Sequence, residues 1–222
     1  MPSAVLFDLD GTLADTAPDL AGAVNRQLQA RGSPPLPVAD LRPHASSGAR
    51  GMIGLAFGIA PGHSDYEFLR TEFLDLYERH LVVETRLFDG VPTLLDALET
   101  RGLRWGIVTN KQERFTLPLV ARIGLSPRAG CVVAGDTTPH AKPHPAPLLE
   151  AARRLGCDPA HCVYVGDDER DILAARAAGM AAVAAAYGYL GVAAPPHAWG
   201  ADAVIHEPMH LLNWLPPAPS VG

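Results

Sequence analysis

Four short stretches hold the residues best equipped for chemistry. They are Phe7-Asp8-Leu9-Asp10-Gly11-Thr12, Val108-Thr109-Asn110-Lys111, Lys142-Pro143-His144-Pro145 and Val165-Gly166-Asp167-Asp168-Glu169-Arg170-Asp171. Three of them follow directly on apolar runs of the kind that form buried parallel strands. In a parallel sheet such strand ends share one edge, so carboxylates, a hydroxyl and a lysine converge there. Crowded acids repel, and burying them unpaired is costly. A divalent cation resolves the conflict: Asp8 and Asp167, with oxygens from Asp10, suit a hard ion such as Mg²⁺. The sequence shows no Cys or His cluster of the kind that binds zinc. Taken singly, these residues also have plainer uses. A lone D-x-D-G is equally a capped turn, and Asp168 is either a solvated neighbour or a rival to Asp167 as ligand. Asn110 either shapes its loop or meets a ligand, and Lys111 either reaches a substrate or is exposed. His144, between two prolines, fits a turn.

The elements that must position these residues are legible as alternating patterns. Residues 4–9, 105–109, 131–134, 162–165 and 181–185 read as buried strands, with 203–205 a candidate sixth. Helical spacing covers 91–101, 114–123, 146–155 and 170–178, and Gly102, Gly124, Gly156 and Gly179 follow these segments where a helix-ending glycine is expected. The alternation predicts an α/β fold with a doubly wound, Rossmann-like parallel sheet. Residues 15–85 break the rhythm, with helical patterns and no strand. Thr16 can cap a helix to about Arg31 with Pro18 in its first turn, and Ser64 with Glu67 forms an S-x-x-E capping box. The division expected is a core of residues 1–14 and 86–222 with an inserted α-helical cap of residues 15–85, placed over the sheet edge where it can act as a lid.

Composition narrows the partners. The chain has 222 residues, 48% of them apolar, and a formal net charge of −6. Such a chain can bury a sizeable core, and its charge suits neither nucleic acid nor an anionic membrane. Any anionic ligand must be held by local donors. No apolar run approaches the roughly 20 residues that span a bilayer, and the N-terminal sequence lacks the pattern of a signal peptide, so a cytoplasmic protein is expected. Cys131, Cys157 and Cys162 show no metal spacing, and Cys131 and Cys162, in strand-like apolar runs, fit small buried thiols. Against 16 arginines stand two lysines, Lys111 and Lys142, which marks these positions as candidates for a compact ammonium. A monomer or a homodimer is expected.

D-x-D-G-T at the first strand, Thr109 after the second, the isolated Lys142 and the G-D-x-x-x-D loop together resemble the haloacid dehalogenase superfamily. The resemblance runs from about Ala4 to Ile205. Within that family the chain is similar to the phosphoglycolate phosphatase group, whose helical cap follows the first strand. The resemblance implies a Mg²⁺-dependent phosphatase acting on a small phosphorylated metabolite. Asp8 would attack phosphorus and carry an aspartyl-phosphate, and Asp10 would protonate the leaving alcohol and then activate water. Thr109 and neighbouring amides would hold phosphate oxygens, and Lys142 would balance charge. Asp8, Asp167 and the Asp10 carbonyl would hold the metal, and Asp171 would orient water or Lys142 from behind. Asn110 and Lys111 are further candidates for the substrate side.

The substrate is expected to be read by the cap. In Ala45-Ser46-Ser47-Gly48-Ala49-Arg50, small residues allow close approach. Ser47 and Arg50 are candidates to bind substrate, Arg50 by gripping a carboxylate, and Arg42 is a weaker second. Arg50 is equally an ordinary surface arginine at a helix start. Two substrates carry both a phosphate and a carboxylate, 2-phosphoglycolate and N-acetylmuramic acid 6-phosphate, and the resemblance extends to phosphatases of either. Phosphoglycolate is placed first. A sugar phosphomutase shares the motifs, but Gly166 before Asp167 is more like the phosphatases. Tyr187-Gly188-Tyr189 either lines the site or packs under it.

Overall fold

The computed structural model describes residues 2–192, 194–215 and 217. Among these residues the strands are β1 (Ala4–Phe7), β2 (Ala14–Asp15), β3 (Arg86–Leu87), β4 (Arg104–Val108), β5 (Val132–Val133), β6 (Cys162–Gly166), β7 (Ala181–Ala185) and β8 (Ala203–Ile205). Six of them form one sheet in the order β5-β4-β1-β6-β7-β8, and every pair in it is parallel. β1 lies in the middle, with Phe7 level with Ile107 on one side and Val165 on the other. That register brings the ends of β1, β4 and β6 to one edge.

Alternate residues of β1 feed two cores, as a sheet covered on both faces requires. Val5 and Phe7 pack with α5 (Val91–Thr100) and α6 (Glu113–Arg122). Ala4 and Leu6 pack with α7 (Ala146–Leu155) and α8 (Glu169–Ala177). The expected α/β, doubly wound architecture is therefore present.

Between β2 and β3 the chain is helical: α1 (Ala17–Ala30), α2 (Val38–Leu41), α3 (Gly48–Phe57) and α4 (Tyr66–Arg79). β2 and β3 pair antiparallel, Ala14 with Leu87 and Asp15 with Arg86, and close the neck of this insertion. Asp15 is thus in a strand where only helix was expected. A second tie at the neck is Asp19, 4% exposed. Its carboxylate accepts from the amides of Val83, Glu84 and Thr85 and from the Thr85 hydroxyl. Those donors satisfy a charge that would otherwise be costly to bury.

Two local expectations fail. Ser64 and Glu67 do not form a capping box; α4 starts one residue later than that box implies, with Asp65 at its cap, and the Ser64 hydroxyl donates to Asp65. Thr16 stands at the cap of α1 but makes no side-chain cap bond. The Tyr189 hydroxyl accepts from the Thr16 and Ala17 amides instead, at 2.7 and 2.9 Å. That leaves the Thr16 hydroxyl free to donate to Asp10. Tyr189 therefore packs under the site, and Tyr187 does likewise, donating to the Thr12 carbonyl. No helix among the described residues is long and apolar enough to cross a membrane.

Candidate active site

Asp8 follows β1 directly, and its amide still donates to Val165 in the sheet. Its Oδ1 accepts from the Leu9 amide at 2.8 Å and from Lys142 Nζ at 2.9 Å, which leaves Oδ2 uncommitted. Three residues on, Gly11 turns the chain with φ +83°, and a Cβ there would lie 2.1 Å from Asp167 Oδ2. Only glycine allows this turn to press against that carboxylate. Gly188 does the same from the other side, where a Cβ would meet the Asp167 Cβ at 2.3 Å. Asp167 is fully buried, its oxygens held by the Thr12 hydroxyl and the Tyr189 amide.

Oxygens of Asp8, Asp167 and Asp171 lie within 4.8 Å of one another, and all three residues are buried. Burial pushes the Asp8 carboxyl up to about 7 even though Lys142 pulls the other way. Burial, with Asp8 and Asp171 alongside, drives Asp167 well above the usual carboxylate range. An all-oxygen, charge-rich set that resists ionising by itself is the chemistry that suits Mg²⁺, so these residues fit the ion. Asp171 has less to offer as a ligand: Oδ1 accepts from Lys142 and Tyr164, and Oδ2 from the Asp168 amide. Asp168 is spent differently. It caps α8, forms a capping box with Asp171 and pairs with Arg170 at 2.7 Å.

Lys142 Nζ is buried among Asp8, Asp171 at 2.7 Å, the Val108 carbonyl at 3.0 Å and the Tyr164 hydroxyl at 2.7 Å. Burial works against its charge, but Asp171 and Asp8 outweigh it and hold the ammonium above its ordinary pKa. Asn110 ties this lysine's backbone down, donating to the Lys142 carbonyl and accepting from the Lys142 amide, both at 2.9 Å. Its amide is therefore occupied in shaping the loop. Thr109 is buried, and its hydroxyl oxygen accepts from the Lys111 amide, leaving its proton free to donate. Lys111 is not exposed: its ammonium meets Asp10 Oδ1 at 3.0 Å.

A cavity of about 370 Å³ opens above these groups, walled by the insertion through Ser46, Ser47, Arg50, Tyr66, Arg70, Phe73 and Tyr77. Arg50 and Ser47 are exposed on its rim. Arg42 is withdrawn from it, paired through both nitrogens with Asp15 at 2.8 Å, which removes it as a substrate grip. Arg170 joins core and insertion by donating to the Ser46 carbonyl at 2.8 Å.

Residues 2–179 match the family model for haloacid dehalogenase-like hydrolases. The chain belongs to that family. Among haloacid dehalogenase-like hydrolases it is 49% identical to a phosphoglycolate phosphatase of Xanthomonas campestris pv. campestris strain 8004, over 98% of this chain and 97% of the relative. It is 44% identical to an N-acetylmuramic acid 6-phosphate phosphatase of Pseudomonas aeruginosa, over 96% of this chain and 94% of the relative. A crystal structure from Haemophilus somnus 129pt, described as a predicted phosphoglycolate phosphatase, superposes with a TM-score of 0.84 at 27% identity, covering 96% of this chain and 97% of that one.

Several residues that shape this haloacid dehalogenase-like site lay outside the motif reading. Tyr164 hides in an apolar strand run, Tyr77 in an amphipathic helix, and Thr16 and Tyr189 meet across 173 positions. Thr12 and Arg170 stood inside the motifs, where D-G-T and G-D-D-x-R-D carried their only signal.

Proposed function

We propose that this chain is a Mg²⁺-dependent phosphatase that uses Asp8 as its nucleophile. The observation that carries this reading is the arrangement around Asp8: a buried carboxylate with one oxygen tied by Lys142 and Leu9, at the floor of a cavity walled by the insertion. Asp8 Oδ2 attacks phosphorus, and Asp10 gives its proton to the departing alcohol. Water then attacks the aspartyl-phosphate with Asp10 as base, releasing phosphate and restoring Asp8. Thr109 donates to a phosphoryl oxygen, and Lys142 supplies positive charge beside it, which phosphoryl transfer needs as much as alignment. Asp8, Asp167 and the Asp10 carbonyl would hold Mg²⁺, which neutralises charge on the phosphoryl oxygens when bound. Asp171 orients Lys142 from behind. Residues 1–14 and 86–222 act as the core and 15–85 as a cap, in a cytoplasmic enzyme that is a monomer or a homodimer.

The relative at 49% identity supports 2-phosphoglycolate as substrate. A second reading, N-acetylmuramic acid 6-phosphate, draws support from the cavity. Its volume of about 370 Å³ falls in the range of roughly 300–1,000 Å³ that serves larger ligands, and Phe73, Leu74 and Phe115 give it apolar walls. Ser46 Oγ lines it as a buried polar atom without a hydrogen-bond partner among the described residues, and a sugar hydroxyl would satisfy it. Phosphate release from both compounds with Mg²⁺ decides between them. A preference in kcat/KM above about a hundredfold, roughly 2.7 kcal/mol of transition-state binding, names the substrate; comparable slow turnover of both places the true substrate elsewhere, and no phosphate release from either compound or from p-nitrophenyl phosphate would overturn the phosphatase reading.

Arg50, exposed on the rim, is the residue placed to meet a substrate carboxylate. Arg50→Ala is expected to raise KM about tenfold or more on the carboxylate-bearing substrate and to leave p-nitrophenyl phosphate nearly untouched. Equal losses on both would rule out the carboxylate grip.

A further inference from the structure

Lys111 occupies a place that neither a solvated cation nor a direct substrate ligand requires. Its side chain is 9% exposed, and its ammonium lies 3.0 Å from Asp10 Oδ1. The same oxygen accepts the Thr16 hydroxyl. On its other side the ammonium sits 4.7 Å from the centre of the Tyr77 ring, the arrangement of a cation–π contact. Tyr77 is buried near the end of α4, so it belongs to the helical insertion. The backbone that aims Lys111 is itself fixed: its amide donates to Thr109 Oγ1, and its carbonyl accepts from the Gly135 amide and the Thr116 hydroxyl. A compact ammonium fits between a ring face and one carboxylate oxygen where a planar guanidinium would fork. That fits the choice of lysine here in a chain whose other cations, Lys142 apart, are arginines.

We propose that Lys111 is a positioning residue for the acid step, pinning Asp10 through Oδ1 so that Oδ2 faces the leaving group, and that the insertion holds it there through the Tyr77 ring. This rests on the reading of Asp10 as the acid. In that step the Oδ2–H bond breaks as the P–O bond to the alcohol breaks. The P–O electron pair stays on the alcohol oxygen, the proton joins it, and Asp10 is left as a carboxylate beside the ammonium. Thr16 belongs to the neck of the insertion and Tyr77 to its last helix, so Asp10 is aimed only when the insertion is seated.

Aryl phosphates of similar size and graded leaving group test this. kcat/KM reports the steps up to release of the phenol, so it isolates the acid step from the later attack of water. Protonation matters little for p-nitrophenoxide and much for p-methylphenoxide. In Lys111→Met, kcat/KM is expected to fall less than about threefold on p-nitrophenyl phosphate and about thirtyfold or more on p-methylphenyl phosphate. Tyr77→Leu is expected to steepen the leaving-group dependence in the same direction, and it carries the test alone should Lys111→Met fail to fold by circular dichroism. A uniform loss across the series in both variants would overturn the positioning role. Asp10→Asn separates the two levels. If it shows no leaving-group dependence, the acid reading itself falls; if it does and Lys111→Met does not, only the present inference falls.

Discussion

Asp8→Asn is expected to remove turnover, by at least about 10⁴-fold in kcat/KM, in a protein no less stable than the parent. The activity half follows from the nucleophile: an amide nitrogen or oxygen in place of Oδ2 does not form the acyl-phosphate. The stability half follows from burial. The Asp8 carboxyl is pushed up to about 7 from an ordinary 3.8, so the folded chain binds that proton more tightly than the unfolded chain does. Stability from this source is fully present below the unfolded value and is lost as pH rises through the folded one. Without Mg²⁺ at pH 8 the parent has lost it, whereas a neutral asparagine has nothing to lose. Thermal melts in chelator should therefore show the variant gaining on the parent between pH 5 and pH 8, and added Mg²⁺ at pH 8 should raise the parent more than the variant. Turnover that survives in a folded Asp8→Asn protein would sink the nucleophile assignment. A stability gap that moves against the variant with rising pH would sink the account of Asp8 as a strained buried acid.

The sheet and its edge were legible because composition marks them twice, by apolar β-branched runs and by the polar residues that end them. Residues 181–185, 203–205 and 146–155 fold within the limits their patterns predict. The convergence of Asp8, Thr109 and Asp167 follows from parallel topology alone, since β1, β4 and β6 are neighbours that end together; Lys142 joins them from the connection after β5, where Asn110 ties down its backbone. What spacing does not carry is which partner wins a shared donor. Thr16 has the right type and place to cap α1, but Tyr189 reaches the helix N-terminus from the far end of the chain and takes the amides. Arg42 and Arg50 look alike in sequence; Asp15 lies within reach of Arg42 only once β2 and β3 have closed the neck. Lys111 read as open between substrate and solvent because its partners, Asp10 and Tyr77, come from two segments 67 positions apart in the chain. Long-range competition for a few polar atoms is the layer that local pattern cannot rank.

Lys142→Met is expected to do the reverse of Asp8→Asn on stability while also silencing the enzyme. Lys142 is the cation inserted between Asp8 and Asp171, and it is 5% exposed. Removing it leaves those carboxylates facing each other across a buried gap, together with the Val108 carbonyl and Tyr164 hydroxyl it had served. Breaking a buried charge network by deleting one partner costs about 3–5 kcal/mol, which for a chain of this size corresponds to a fall in Tm of roughly 6–20 °C. Loss of the charge beside the phosphoryl oxygens is expected to lower kcat about 10³-fold. Lys142→Arg should not rescue either property, because a planar guanidinium has no room in a cage built for a point charge. The double variant Asp8→Asn/Lys142→Met discriminates electrostatics from simple packing. If the single variant is destabilised by paired carboxylates, neutralising Asp8 removes half of that repulsion, and the double variant should melt above Lys142→Met although it carries one more substitution. If the loss is one of packing alone, the second change restores nothing, and the melting points of the single and double variants coincide.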